Sequence, residues 1–176
     1  MIEQQLKATI RDITDFPKPG IVFKDITPVF KHPALCLGIV DAFVERLRDC
    51  TFDAVVGIAS RGFLFGPMLA VRLGIPFIPI RKKGKLPGKT ISESYALEYG
   101  AATIEMHDDA FGPGTKVLIH DDLLATGGTV AASSRLVERL GGEVVAYAFI
   151  VALDFLNGRQ VLDVAPSRIV ALASYD

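Results

Sequence analysis

The stretch Val117-Leu118-Ile119-His120-Asp121-Asp122-Leu123-Leu124-Ala125-Thr126-Gly127-Gly128-Thr129 decides how the rest of the chain is read. With Lys116 ahead of it, residues 116–120 form a short apolar run, as expected of a strand buried on both faces. Two adjacent acids and a loop of small residues follow. Residues 129–140 then show helical spacing, with Val130, Leu136, Val137 and Leu140 facing inward and Gly141-Gly142 as the stop. Between Ala125 and Thr129 several backbone N–H groups can converge on one point. Gly127 and Gly128 permit close approach, Thr126 and Thr129 add hydroxyls, and the helix start adds its positive dipole end. Such a cup suits a monophosphate. Asp121 and Asp122 stand at its rim, where neighbouring like charges are costly unless both face solvent or ligand. A carboxylate pair accepts hydrogen bonds from vicinal hydroxyls, which a sugar lying beside its own phosphate offers. A polar loop with a helix cap is the plainer reading, but the strand and acid pair ahead of the loop favour a ribose phosphate.

Working outward, residues 32–49 carry helical periodicity through Leu35, Ile39, Phe43 and Leu47. Short apolar runs at 54–59, 75–80, 143–153 and 169–173 read as strands, and 63–73 as a helix whose start is blurred by Gly66-Pro67. Residues 95–99 and 102–106 read as a β-ribbon closing a basic excursion over 81–100. Strands alternating with helices predict an α/β fold, a mainly parallel sheet flanked by helices. In such sheets ligands bind beyond the carboxyl ends of the strands. The unusual residues stand after Ile58, Ile80 and Ile119.

After the first of these comes Ala59-Ser60-Arg61-Gly62, either an anion turn or a helix cap by Ser60. After the second comes Arg81-Lys82-Lys83-Gly84-Lys85-Leu86-Pro87-Gly88, a basic run placed at the ligand edge. Gly84 to Thr90 imitates a nucleotide P-loop but is one residue short and leads into no amphipathic helix, so an NTPase is disfavoured. The formal net charge of −1 over 176 residues gives no general basic field for nucleic acid. No run of apolar residues is long enough for a membrane span, and residues 1–11 read as a short amphipathic helix without the apolar core of a signal peptide. Cys36 and Cys50 form no metal or disulfide pattern and suit a cytoplasmic protein with reduced thiols.

The acid pair and small-residue loop resemble the donor-binding motif of the type I phosphoribosyltransferases, with His120 where these proteins usually carry an aliphatic residue. A length of 176 residues predicts one domain over 1–176. The resemblance runs from Asp15 to about Gly158 and implies an N-terminal helix and hood (about 1–32) and a flexible loop and ribbon (about 81–106). It implies that Asp121 and Asp122 hold the ribose hydroxyls and that Ala125, Thr126, Gly127, Gly128 and Thr129 hold the 5-phosphate. Ser60, Arg61, Arg81, Lys82 and Lys85 are then the pyrophosphate contacts. Residues 81–100 are closest to members that act on adenine, where the glutamate matching Glu98 bonds the purine and takes part in proton transfer; Arg61 would join it in catalysis, and Tyr99 would help close the loop. The hood over 16–28 resembles the base-recognition segment, which implies adenine contacts from Val22, Phe23, Lys24 and Leu123. From the residues alone, Phe23 either stacks on a base or packs into the core, and Lys24 departs from the arginine usual there. The expected substrates are adenine and phosphoribosyl pyrophosphate, with Mg²⁺ held mainly by substrate oxygens and a homodimer as the assembly. A 6-oxopurine such as xanthine, or a non-catalytic sensor of the donor, are the alternatives. His120 is expected to end its strand with one ring nitrogen bonded.

Overall fold

A computed structural model describes residues 1–96 and 100–176. The chain opens with helix α1 (Ile2–Thr9) and an antiparallel hairpin of β1 (Arg11–Thr14) and β2 (Val22–Asp25). Helix α2 (Pro33–Arg46) then leads to β3 (Ala54–Ile58), α3 (Gly62–Leu73) and β4 (Phe77–Lys82). The ribbon is β5 (Thr90–Ala96) and β6 (Ala101–His107); β7 (Lys116–Leu124), α4 (Gly128–Arg139), β8 (Glu143–Leu153) and β9 (Ile169–Tyr175) complete the order.

Seven strands form one sheet in the order β5-β6-β4-β3-β7-β8-β9. The five strands from β4 to β9 are parallel, and β6 and β5 add an antiparallel edge. The predicted α/β sheet is therefore present. Its middle strands read as apolar runs because helices cover both faces: every residue of β3 is buried, as are Val145 to Ala152 of β8. On one face Ile39, Phe43 and Leu47 of the α2 segment pack with Phe65 and Leu69 of α3, as the helical spacing requires. On the other, Val130, Leu136 and Val137 of α4 pack on Val117 and Ile119. Among the described residues no helix is long and apolar enough to cross a membrane, and Cys36 and Cys50 are free thiols.

Several boundaries differ from the sequence reading. Pro67 lies inside α3 and not in its first turn, since the helix already starts at Gly62. Strand β5 begins at Thr90, well before residue 95, because Thr90 to Ala96 pair continuously with β6. That pairing also makes Gly84 to Thr90 run into a strand, the wrong context for a P-loop. Strand β7 continues to Leu124, so Asp121 and Asp122 belong to a strand paired with β8 on one edge and not to a loop. The hood contains a hairpin where only loop was expected. Asp15, at φ 58°, turns it, and its Oδ1 accepts a hydrogen bond from the Gly20 N–H at 2.8 Å.

Candidate functional site

At the carboxyl ends of β3, β4 and β7 lies a cavity of about 300 Å³. Ser60, Arg61, Lys82, Tyr95, Asp121 and Thr129 line it, together with Asp122 and the apolar Ile58 and Ile104. It is the position that a parallel sheet offers to a ligand, since loops diverge there and the backbone ends of several strands come together. Asp121 and Thr129 also line a smaller cavity of about 80 Å³, bounded by Leu123, Ala125, Thr126, Gly127 and Gly128. The predicted anion turn, acid pair, phosphate loop and one lysine of the basic run are thus brought together from three strands far apart in sequence.

Alternation along β7 gives the two acids different surroundings. Asp122 is buried, and its Oδ2 accepts a hydrogen bond from Arg61 Nε at 2.5 Å. Arg61 remains partly exposed, with its guanidinium carbon 5.0 Å from the Phe23 ring centroid. Asp121 Oδ1 accepts only the Asp122 N–H, at 2.9 Å, among the described residues. Burial and the neighbouring Asp122 charge push its carboxyl well above the ordinary carboxylate range. An acid in that position gains from hydroxyl or cation partners supplied by a ligand. The Ala59–Ser60 peptide in the anion turn is cis.

His120 does not end its strand. It is fully buried in mid-strand, edge-on to Phe43 with ring centroids 5.7 Å apart. Its Nδ1 lies 2.9 Å from the Ala148 carbonyl, which makes Nδ1 the protonated nitrogen. Among the described residues Nε2 has no hydrogen-bond partner, and burial lowers the imidazole pKa to about 4. The ring is therefore a neutral core residue beneath the acid pair.

The loop of residues 125–129 owes its shape to glycines. Gly127 caps α4 at φ 82°, a conformation open to glycine at little cost. Behind it, the turn at Gly158 presses directly on the loop: a Cβ on Gly158 would stand 2.1 Å from the Ala125 carbonyl oxygen. The sequence reading did not pick out Gly158. The Asn157-Gly158 pair, a turn signal, was its visible trace.

The basic run is divided. Lys82 lines the cavity, whereas Arg81 and Lys85 do not. Arg81 Nη1 donates to the Lys85 carbonyl at 2.8 Å, bracing the turn from within. The organiser is Glu105 on β6, also missed from sequence. This buried carboxylate accepts the Lys85 and Leu86 N–H groups at 3.0 and 2.9 Å through Oε1. The Leu86 bond, helped by those from Gly84 and Lys85, outweighs burial and holds Glu105 below its ordinary pKa. A carboxylate between Ile104 and Met106, two core residues, was the signal available.

In the hood, Phe23 is half-buried beside Arg61, and Phe16 meets it edge-on at 5.1 Å while remaining half exposed. Neither fills the core. Val22 is exposed. The Lys24 side chain turns away: Nζ is 2.7 Å from Asp12 Oδ1 and 4.1 Å from the Tyr175 ring centroid. Lys24 thus has only its backbone to offer a base. Leu123 faces the smaller cavity and not the larger one. Glu98 and Tyr99 lie outside the described residues.

Among the described residues no group of three or more His, Cys, Asp and Glu is disposed to hold a metal. Asp121 and Asp122 nevertheless offer the oxygen chemistry that Mg²⁺ prefers, beside a space large enough for a phosphorylated ligand.

Residues 25–163 match the model of the phosphoribosyl transferase domain. The chain is 55% identical over 175 residues to the adenine phosphoribosyltransferase of Cytophaga hutchinsonii, covering 99% of this chain and 97% of the relative. The crystal structure of adenine phosphoribosyltransferase from Thermoanaerobacter pseudethanolicus superposes with a TM-score of 0.94 at 47% identity, covering 99% of this chain and 100% of that one. The Saccharomyces cerevisiae enzyme, crystallised with adenine and an imino-altritol bisphosphate, superposes with a TM-score of 0.91 at 41% identity, covering 97% of this chain and 98% of that one.

Proposed function

Because the chain belongs to the phosphoribosyltransferase family, and within it to the adenine phosphoribosyltransferases, we propose that it transfers the 5-phosphoribosyl group of phosphoribosyl pyrophosphate to adenine, giving AMP and pyrophosphate in purine salvage. The observation that carries this reading is the pair of adjoining cavities. An anion turn, a lysine and two acids border the larger, and a backbone phosphate cup forms the smaller. A sugar joined to a phosphate at one end and a pyrophosphate at the other matches that sequence of groups. The S. cerevisiae relative, whose crystal holds adenine and a bisphosphate, supports the same base and the same two-ended ligand.

The 5-phosphate sits in the cup of Ala125, Thr126, Gly127, Gly128 and Thr129, on backbone N–H groups and the positive end of α4. Asp121 and Asp122 accept the two ribose hydroxyls. Asp122 meanwhile keeps Arg61 directed across the cavity, and Arg61, Ser60 and Lys82 take the pyrophosphate. Arg81 and Lys85 shape and charge the adjoining turn. Adenine lies towards the hood, against Phe23, with Val22 and the Lys24 backbone along its edge and Leu123 on the side of the cup. N9 of adenine forms the new bond to the anomeric carbon as the carbon–oxygen bond to pyrophosphate breaks, its electron pair leaving with the pyrophosphate. The base proton passes to the Glu98 carboxylate, and Tyr99 helps close the loop over the reacting atoms. Fixed cations at the leaving oxygen and exclusion of water are the protein's contributions. Mg²⁺ would be held mainly by donor oxygens and water, and when bound would supply neutralisation of the leaving pyrophosphate.

The assembly is a homodimer, and the exposed Leu37, Leu64 and Val71 on α2 and α3 give it an apolar face to bury. The compartment is the cytoplasm, in keeping with two free thiols.

Radiolabelled adenine is incubated with the protein, the donor and Mg²⁺, with hypoxanthine, guanine and xanthine in parallel. A nucleotide from adenine alone, dependent on donor and Mg²⁺, is the expected result. Product from a 6-oxopurine would move the specificity, and donor binding without product from any base would indicate a sensor. Asp121→Asn and Asp122→Asn should each weaken donor binding at least tenfold; unchanged affinity would overturn the ribose assignment.

A further inference from the structure

Tyr95 lines the larger cavity beside Thr129, a residue that borders both cavities, and belongs to neither the acid pair, the phosphate loop nor the basic run. It comes from β5, opposite Ala102 of β6, and its half-buried ring packs on the core beneath α4. A Cβ on Gly128, the first residue of α4, would stand 3.6 Å from Tyr95 Cδ2, so the ring lies against the start of that helix. The phenol oxygen accepts a hydrogen bond from Thr129 Oγ1 at 2.9 Å. Tyr95 and Thr129 both line the larger cavity, and Thr129 lines the cup as well.

Two further features fix the position of this hydroxyl. Glu93, two residues earlier on β5, accepts Arg135 Nε at 2.6 Å, and Arg139 Nη1 donates to the Ser92 carbonyl at 2.7 Å. Strand β5 is therefore clamped along α4 on the way to Tyr95. Because Thr129 supplies the proton between the two hydroxyls, the phenol's own proton has no protein acceptor among the described residues. A fixed O–H with an uncommitted proton, beside a cup of N–H groups, is what a phosphate oxygen requires of a neutral donor.

Building on the phosphoribosyl reading, we infer that Tyr95 is a donor-binding residue: its hydroxyl donates to a 5-phosphate oxygen and couples the clamped strand to occupancy of the phosphate cup. The contact is specific for the ribose-phosphate end of the donor, since Tyr95 reaches the site through Thr129 and not through the basic run. It ties the cup to strand β5, which α4 holds through Arg135 and Arg139.

Calorimetric titration of the unaltered protein and of Tyr95→Phe with ribose 5-phosphate, and separately with pyrophosphate, tests this. The variant keeps the ring and its packing. Ribose 5-phosphate affinity should fall about tenfold, as expected for one hydrogen bond to a charged acceptor, while pyrophosphate affinity stays within about twofold. Thermal unfolding of the two ligand-free proteins should agree to within about 2 °C, since only one part-buried hydroxyl bond at the cavity wall is lost. Equal ribose 5-phosphate affinity in both proteins would overturn the role, and so would a loss confined to pyrophosphate. If the unaltered protein bound no ribose 5-phosphate, the phosphoribosyl reading itself would fall, and this inference with it.

Discussion

On the proposed reading the phosphate cup and the basic turn both take anions, yet they are built differently. The cup is backbone on backbone: the loop is set by a left-handed Gly127, and Gly158 presses on it from behind. It rests on β7, whose residues Val117 to His120 are all buried. The basic turn is exposed over Lys82 to Lys85, and besides backbone bonds such as Lys83 N–H to the Thr103 carbonyl it depends on two side chains, Glu105 and Arg81. A site for a tetrahedral phosphate needs N–H groups aimed at one point and therefore a rigid frame. A site for a leaving group must release it, and long cations on a tethered turn serve that better.

The comparison breaks most severely at the support of the cup. His120 is neutral when folded and takes up a proton near pH 6.5 when unfolded, while its folded pKa is about 4. Its stabilising contribution is complete above pH 6.5 and is lost as pH falls towards 4. Replacing it by an aliphatic residue, His120→Val, should remove that dependence. Denaturant unfolding of both proteins from pH 7.5 to 4 should show the wild type losing about 3 kcal/mol more than the variant. Parallel curves would mean that the imidazole charges without unfolding.

Next in size is Gly158→Ala. Its Cβ cannot coexist with the Ala125 carbonyl at 2.1 Å, and the intruding atom meets backbone that cannot turn aside. Ribose 5-phosphate affinity should fall about 30-fold and stability by about 2 kcal/mol, the usual cost of a forced backbone shift. Normal affinity would show that the cup tolerates displacement and is not the rigid partner in the comparison.

Glu105→Gln sharpens the other side. The neutral amide accepts the Lys85 and Leu86 N–H groups more weakly, so the turn should loosen while the cup stays intact. Pyrophosphate affinity should drop about fivefold, with ribose 5-phosphate affinity unchanged. Equal loss of both ligands would mean that the two regions act as one unit.

Much of the sheet was legible because burial on both faces favours apolar residues: β3, and β8 after Glu143, appear as apolar runs. The cup was legible for a related reason. Its chemistry is local, with acids, glycines, threonines and a helix start following one another within thirteen residues. The strand continuing through Asp121 and Asp122 was harder to read, because acids are poor strand formers and only pairing with β8 holds them there. The turning of Lys24 towards Asp12 and Tyr175 follows from a hairpin register that no local pattern announced.

The sequence by itself determined the strands that carry the site, the small-residue loop read as a phosphate cup and the identity of the acids beside it, since each depends on neighbours along the chain. Tertiary structure decided which cations face the cavity, which carboxylate anchors the basic turn, and which glycine supports the cup. Lys82, Glu105 and Gly158 owe their roles to partners brought from distant segments, and contact across such distances is set by packing and strand register rather than by local spacing.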